Sequence, residues 1–237
     1  MIRVRRDQDI YRADGGWFRA RWHFSFDRYY DPENMGFGRH LRVFNDDRLA
    51  PGAVWPMHPH RDIEGITYVV EGEFEHADSI GEDGVLPAGS VQRMTLGSGA
   101  EHSERNHRAD IPMRFIQMWI LPAQRGLPPS VEQRVFTEAD RTDRLLEVVG
   151  PTGGEPSGGP VKVHQDARVL VSRMSAGTSL LREVPEGFGW YLYCVEGDVS
   201  VNGERLATGD AAKIAEEDRL RLEAGGSTEL IAVEVLV

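Results

Sequence analysis

Four residues of this chain have the types and spacing of a metal site. His58 and His60 stand at i and i+2 in Trp55-Pro56-Met57-His58-Pro59-His60, and His102 and Glu104 repeat that spacing further along. Side chains of a strand alternate between its two faces, so each pair points to one side. Two such strands lying side by side would converge three imidazoles and one carboxylate on a single point. That donor set suits a first-row transition metal with open positions. Fe(II) comes first, with Mn, Co, Ni or Cu as alternatives; Zn accepts the same donors but leaves redox chemistry without a source. Pro59 stiffens the backbone between the first two histidines.

Neighbouring residues extend this reading. If the strand continues past His60, Asp62 and Glu64 share its face and could accept hydrogen bonds from the imidazole N–H groups. Trp55, Met57, Met94, Phe115 and Trp119, with Gln92 and Gln117 interleaved, read as the lining of a cavity for a flat, apolar organic ligand. His76 and His107 are less informative, and His107 reads as a surface residue.

The elements that must hold these groups read as strands. Gly 26 and Pro 13, with short Val, Ile, Phe and Tyr runs between them, indicate a mostly β protein. Strands are expected in Trp17 to Asp27, from Leu41 to a turn at Asp47, in Gly65 to Phe74 with a break at Glu71-Gly72, and in Arg114 to Leu121. The charged stretch from Thr137 to Glu147 predicts one helical turn with Thr137 as its N-cap. Residues 150–160 are dominated by Gly, Pro and Ser and read as a loop.

The second half repeats the first. Tyr68-Val69-Val70-Glu71-Gly72-Glu73-Phe74 matches Tyr193-Cys194-Val195-Glu196-Gly197-Asp198-Val199. A hairpin signal follows each copy, at residues 81–84 and at Asn202-Gly203. An x-Gly corner follows in turn, at Ala88-Gly89 and Thr208-Gly209. A strand, a Glu-Gly corner, a hairpin and another corner make half of a jelly roll. The expected fold is therefore all-β, with two tandem jelly-roll barrels and short helical segments. The expected division is 1–130 for a metal-binding domain, 131–160 for a linker and surface loop, and 161–237 for a second barrel. Shifting the ligand positions by the spacing of the corners places Glu183 and Pro185 opposite the first histidine pair, and Leu222 and Ala224 opposite the second. The second copy should hold no metal.

Composition narrows the partners. A net charge of -11 argues against nucleic-acid binding. The single Cys194 precludes an intramolecular disulfide and fits a reducing, cytoplasmic setting. The first residues lack an apolar signal segment, and no run is long enough to span a membrane.

The string HPHRDIEGITYVVEGEFEHADSIG followed by LPAGSVQRMTLGSGAEHSE resembles the N-terminal domain of the pirin family, within the cupin superfamily. The resemblance covers most of Trp17 to Leu121. The second half is similar, more weakly, to the C-terminal cupin domain of bacterial quercetinase-type members, which implies a bicupin. The resemblance implies ligation by His58, His60, His102 and Glu104. The general cupin pattern would instead use an early Glu and a His where this chain has Gln92, so Glu64 is not expected to be a ligand. Met57 and Asp62-Ile63 stand where many pirins have other residues.

The implied activity is quercetin 2,3-dioxygenation: ring opening of a flat phenol by dioxygen, with release of carbon monoxide and Glu104 as general base. The implied alternative is a non-enzymatic metal- or redox-sensing regulator that binds a transcription factor or a metabolic enzyme.

Overall fold

A computed structural model describes residues 1–153 and 159–237, so part of the predicted 150–160 loop lies outside the described residues. The chain is almost entirely β. In the first half, seven strands form a large sheet in the spatial order Ser130–Val135, Ser90–Thr95, Glu64–Glu71, Met113–Ile120, Leu41–Leu49, Phe18–Trp22, Tyr11–Asp14. Four strands face it in a smaller sheet, ordered Val54–His60, Ala100–Asn106, Glu73–Asp78, Asp83–Pro87.

The second half has the same arrangement. Its large sheet runs Ile2–Arg5, Ala211–Ile214, Phe188–Glu196, Thr228–Leu236, Ala167–Met174, Leu146–Pro151, Val161–Val163. Its small sheet runs Ser179–Glu183, Arg219–Ala224, Asp198–Val201, Glu204–Ala207. Each half is a jelly roll of two facing sheets rather than a closed barrel. The repeat seen in the sequence is thus a repeat of topology. Gly72 and Gly197 occupy equivalent corners at φ 83° and 90°. A Cβ at Gly197 would lie 2.2 Å from the Ser227 carbonyl oxygen, so that corner admits no side chain.

The structure distributes the ends of the chain differently from the 1–130, 131–160 and 161–237 division. Ile2–Arg5 pairs with Ala211–Ile214 in the second half. Ser130–Val135 closes the large sheet of the first half, and Leu146–Pro151 pairs within the second. These segments are strands of the two large sheets, which composition alone did not separate from a linker. Thr137 does cap the short helix Glu138–Arg141, through a reciprocal pair of hydrogen bonds with Asp140.

The two large sheets pack against each other. The largest apolar cluster combines Phe44, Ile66, Ile116 and Met118 with Val169, Tyr191, Ile231 and Val233. Buried polar bridges cross this interface. Tyr68 Oη donates to Glu229 Oε1 at 2.9 Å, and Arg141 pairs with the same carboxylate. Tyr193 Oη donates to Asp46 Oδ2 at 2.6 Å.

Between its own two sheets, the second half is filled by Trp190, Leu192, Leu206, Leu220 and Leu222. Register shows what replaced the ligands. Val199 pairs with Ala224 as Phe74 pairs with Asn106, and Leu180 pairs with Leu222 as Trp55 pairs with Glu104. Leu220 therefore stands at the His102 position and its partner Arg182 at that of His58, with Val184 two residues on at that of His60, so the counterparts are not Glu183 and Pro185. A constant shift fails because the connections before the two Glu-Gly corners differ in length. Leu222 and Ala224 stand where the first half has Glu104 and Asn106, not His102 and Glu104.

Candidate metal centre

His58 and His60 lie on the edge strand Val54–His60, and His102 and Glu104 on its neighbour Ala100–Asn106. These strands are antiparallel, with His102 opposite His58 and a bulge between His102 and Glu104. The bulge re-aims the carboxylate relative to the imidazoles. Ligand atoms of His58, His60 and His102 all lie within 4.8 Å of one another. Their rings meet at centroid distances of 4.6 to 5.3 Å.

The chemistry of these rings fits a metal. His58 Nδ1 lies 2.7 Å from the Pro56 carbonyl oxygen. A carbonyl only accepts, so the proton sits on Nδ1 and the Nε2 lone pair is free. His102 is buried, and neither of its ring nitrogens has a hydrogen-bond partner among the described residues. Such a pair of orphaned atoms is costly unless a ligand engages it. Burial holds His60 neutral, with its pKa lowered to about 4, and does the same more strongly to His102, at about 2. Neutral imidazoles are the form that binds metal.

Glu104 is buried on the wall of the same cavity. Burial raises its carboxyl to about 7, partly offset by a hydrogen bond from Gln117 Nε2 at 3.4 Å. A carboxyl poised near neutrality can either hold or release a proton there.

The cavity beside these groups has a volume of about 360 Å³. Its walls are aromatic: Phe18, Trp22, Phe26, Trp55, Phe115 and Trp119. Trp119 stands edge-on to His60 at 4.8 Å and to Phe26 at 5.4 Å. Asn45, Asp47, Gln117 and, at the loop Asp27-Arg28, two charged residues supply the polar lining.

Of the residues singled out from sequence, Trp55, Phe115, Gln117 and Trp119 line the cavity. Met94 does not; it packs with Leu96, Ala100, Ile63 and Val131 in a separate apolar cluster. Gln92 lies one residue further back, donating to His76 Nδ1 at 3.1 Å and accepting from Gln133. His76, read as uninformative, is buried; it contacts Asp78 at 2.8 Å, and its ring lies 5.8 Å from that of His102. Met57 is half exposed, and His107 pairs with Glu75 at the surface.

Glu64 faces away from the histidines. It accepts from the His164 backbone N–H at 2.7 Å, from His164 Nδ1 at 2.8 Å and from Thr95 Oγ1 at 2.9 Å. The reason is Asp62, whose φ of 54° breaks the strand after His60 and turns the chain from the small sheet into the large one, so the alternation on which the expectation rested does not carry over. Asp62 itself accepts from the Gly126 N–H.

Asn45 and Asp47 were missed. Their signal was present: Asn45-Asp46-Asp47 interrupts an apolar strand, and all three are buried.

Tandem jelly rolls, with a histidine cluster suited to a divalent metal in the first and an apolar fill in the second, define a bicupin. Residues 3–120 match the family described as Pirin, and residues 148–235 the quercetinase C-terminal cupin domain. The chain belongs to the pirin family. It is 39% identical over 222 residues to a pirin-like protein of Caulobacter vibrioides, covering 94% of each chain. It is 34% identical over 236 residues to quercetin 2,3-dioxygenase of Escherichia coli K12, covering 99% of each. The crystal structure of the bacterial pirin YhhW from Escherichia coli in complex with nickel(II) superposes with a TM-score of 0.92 at 33% identity, covering 100% of this chain and 99% of that one. No helix is long and apolar enough to cross a membrane among the described residues.

Proposed function

We propose that this protein is a metal-dependent dioxygenase that opens the ring of flat, hydroxylated phenols of the quercetin type, releasing carbon monoxide. The observation that carries this reading is the cluster of His58, His60 and His102, of which His58 and His60 share the wall of one aromatic cavity with Glu104. The names of the relatives and the nickel complex of YhhW support the same reading.

His58, His60 and His102 would hold the metal, with Glu104 as fourth ligand or as proton acceptor beside it. Fe(II) and Ni(II) both suit this set, as do Mn, Co and Cu. A bound divalent metal would supply Lewis-acid polarisation of the phenolate and a site for dioxygen.

The chain's own residues do the rest. Trp55, Phe115 and Trp119 give an aromatic ligand apolar walls and exclude water. Glu104, whose carboxyl pKa is raised by burial in the metal-free chain, takes the proton of the reacting hydroxyl. Gln117 orients the Glu104 carboxylate for that transfer. The second half needs no ligands for this chemistry, because its large sheet supports the one that carries the cavity.

The test is turnover. Protein loaded separately with Fe(II) and with Ni(II) should consume quercetin and dioxygen and release carbon monoxide. No loss of quercetin and no carbon monoxide with any loaded metal would remove the dioxygenase reading.

A further inference from the structure

The cavity carries more polar functionality than the metal chemistry uses. Asn45 and Asp47 share one face of the Leu41–Leu49 strand, opposite Gln117 and Phe115 on Met113–Ile120. Both are almost wholly buried, at 1% and 3% exposure. Neither Asn45 Oδ1, Asn45 Nδ2, Asp47 Oδ1 nor Trp22 Nε1 has a hydrogen-bond partner among the described residues, and all three residues line the cavity.

Orphaned buried polar atoms are rare, because each carries the full cost of its lost hydration. Four on one wall form an unfilled set of hydrogen-bonding positions. Asn45 offers a donor and an acceptor, Asp47 an acceptor, and Trp22 a donor only. That mixture matches hydroxyl groups, each of which both donates and accepts.

We infer that Asn45, Asp47 and Trp22 form a recognition wall for the ring hydroxyls of the ligand other than the one that reacts. The ligand class is a flat aromatic with hydroxyls on more than one ring, rather than a bare aromatic with a single reacting hydroxyl. This inference rests on the dioxygenase reading for its choice of ligand, but it concerns binding and not turnover. A site built to pair a hydroxyl rejects the analogue that lacks it, because its own polar groups are then left unpaired.

Two measurements on the metal-loaded protein test it. The first is binding of quercetin and of 3-hydroxyflavone, which keeps the reacting hydroxyl and lacks the others, followed anaerobically by tryptophan quenching. The wild type should prefer quercetin by roughly tenfold to a hundredfold, the size expected for leaving one or two buried groups unpaired. Asn45→Leu and Asp47→Leu should each shrink that preference several-fold, mostly by weakening quercetin. The second is the thermal midpoint of the ligand-free variants. Both substitutions remove an unpaired polar group and keep the branching and heavy-atom count of the side chain, beside a cavity that can take the added methyl bulk, so the midpoint should hold or rise.

A fall of several degrees in both variants would mean that the groups serve the fold, and would overturn the inference. Equal affinity of the wild type for the two ligands, with turnover of both, overturns it and leaves the dioxygenase reading standing. Selective binding that the variants abolish, with no turnover by the wild type, supports the wall and removes the dioxygenase. Binding of neither ligand overturns both.

Discussion

Arg114 holds Asp46 in a two-point ion pair, Nε to Oδ1 at 2.8 Å and Nη2 to Oδ2 at 2.7 Å, buried between the two large sheets. Tyr193 from the second half donates to the same carboxylate, and Arg114 also donates to the Val195 carbonyl. Asp46 sits between Asn45 and Asp47 in sequence but on the opposite face of their strand. The second half therefore grips the strand whose other face lines the cavity.

Breaking this pair should be expensive. Arg114→Met strands a buried carboxylate and should lower unfolding free energy by about 3–5 kcal/mol. Tyr193→Phe removes one hydrogen bond to a charged group and should cost about 1–3 kcal/mol. Denaturant unfolding of the metal-free proteins checks both. A larger loss from Tyr193→Phe than from Arg114→Met would contradict the assignment.

Glu104 predicts a pH signature. Its folded pKa of about 7 lies above the usual carboxylate value of 4.5, with burial as the cause. Between those two values the folded state keeps a proton that the unfolded state has lost, so stability falls as pH rises through this window and levels off above it. Glu104→Gln removes the effect. In metal-free protein, the variant's advantage should grow from pH 4.5 to 7, to on the order of 3 kcal/mol. The depressed imidazoles of His60 and His102 act in the opposite sense below pH 6.5, but equally in both proteins. A difference that does not change with pH would disprove the raised pKa.

Metal content separates Glu64 from the histidines. His102→Ala should lower metal affinity at least ten- to a hundredfold, read as stoichiometry after dialysis against a weak chelator. Glu64→Gln should keep its metal and lose about 1–3 kcal/mol of stability, because it weakens the contacts to His164 and Thr95. Equal metal loss in both variants would return Glu64 to the metal site.

Much of this arrangement is legible in the sequence, for identifiable reasons. Glu-Gly corners, the Asn202-Gly203 hairpin and alternating apolar runs are local signals, and each is satisfied locally. The pairs His58/His60 and His102/Glu104 are visible because i and i+2 in a strand share a face. What escaped depends on distant partners. Asp62, one left-handed residue, turns the chain from the small sheet into the large one, so Glu64 does not continue the face of His58 and His60. Asn45 and Asp47 read as a polar turn, and only their pairing with Gln117 and Phe115 shows them to be inside. Ile2–Arg5 joins a sheet formed by residues two hundred positions away, which no local pattern announces.

The shared apolar cluster bears on how the protein folds. Ile66, Tyr68 and Ile116 from one half are covered by Val169, Tyr191 and Val233 from the other, and Ile2–Arg5 is woven into the far sheet. A half released from its companion would present an entire sheet of aliphatic and aromatic side chains to water, together with bare Asp46 or Glu229. The repeat is thus a unit of architecture but not of cooperativity. A chain built this way is expected to melt as a single body, and the candidate metal centre takes its support from residues that never approach it.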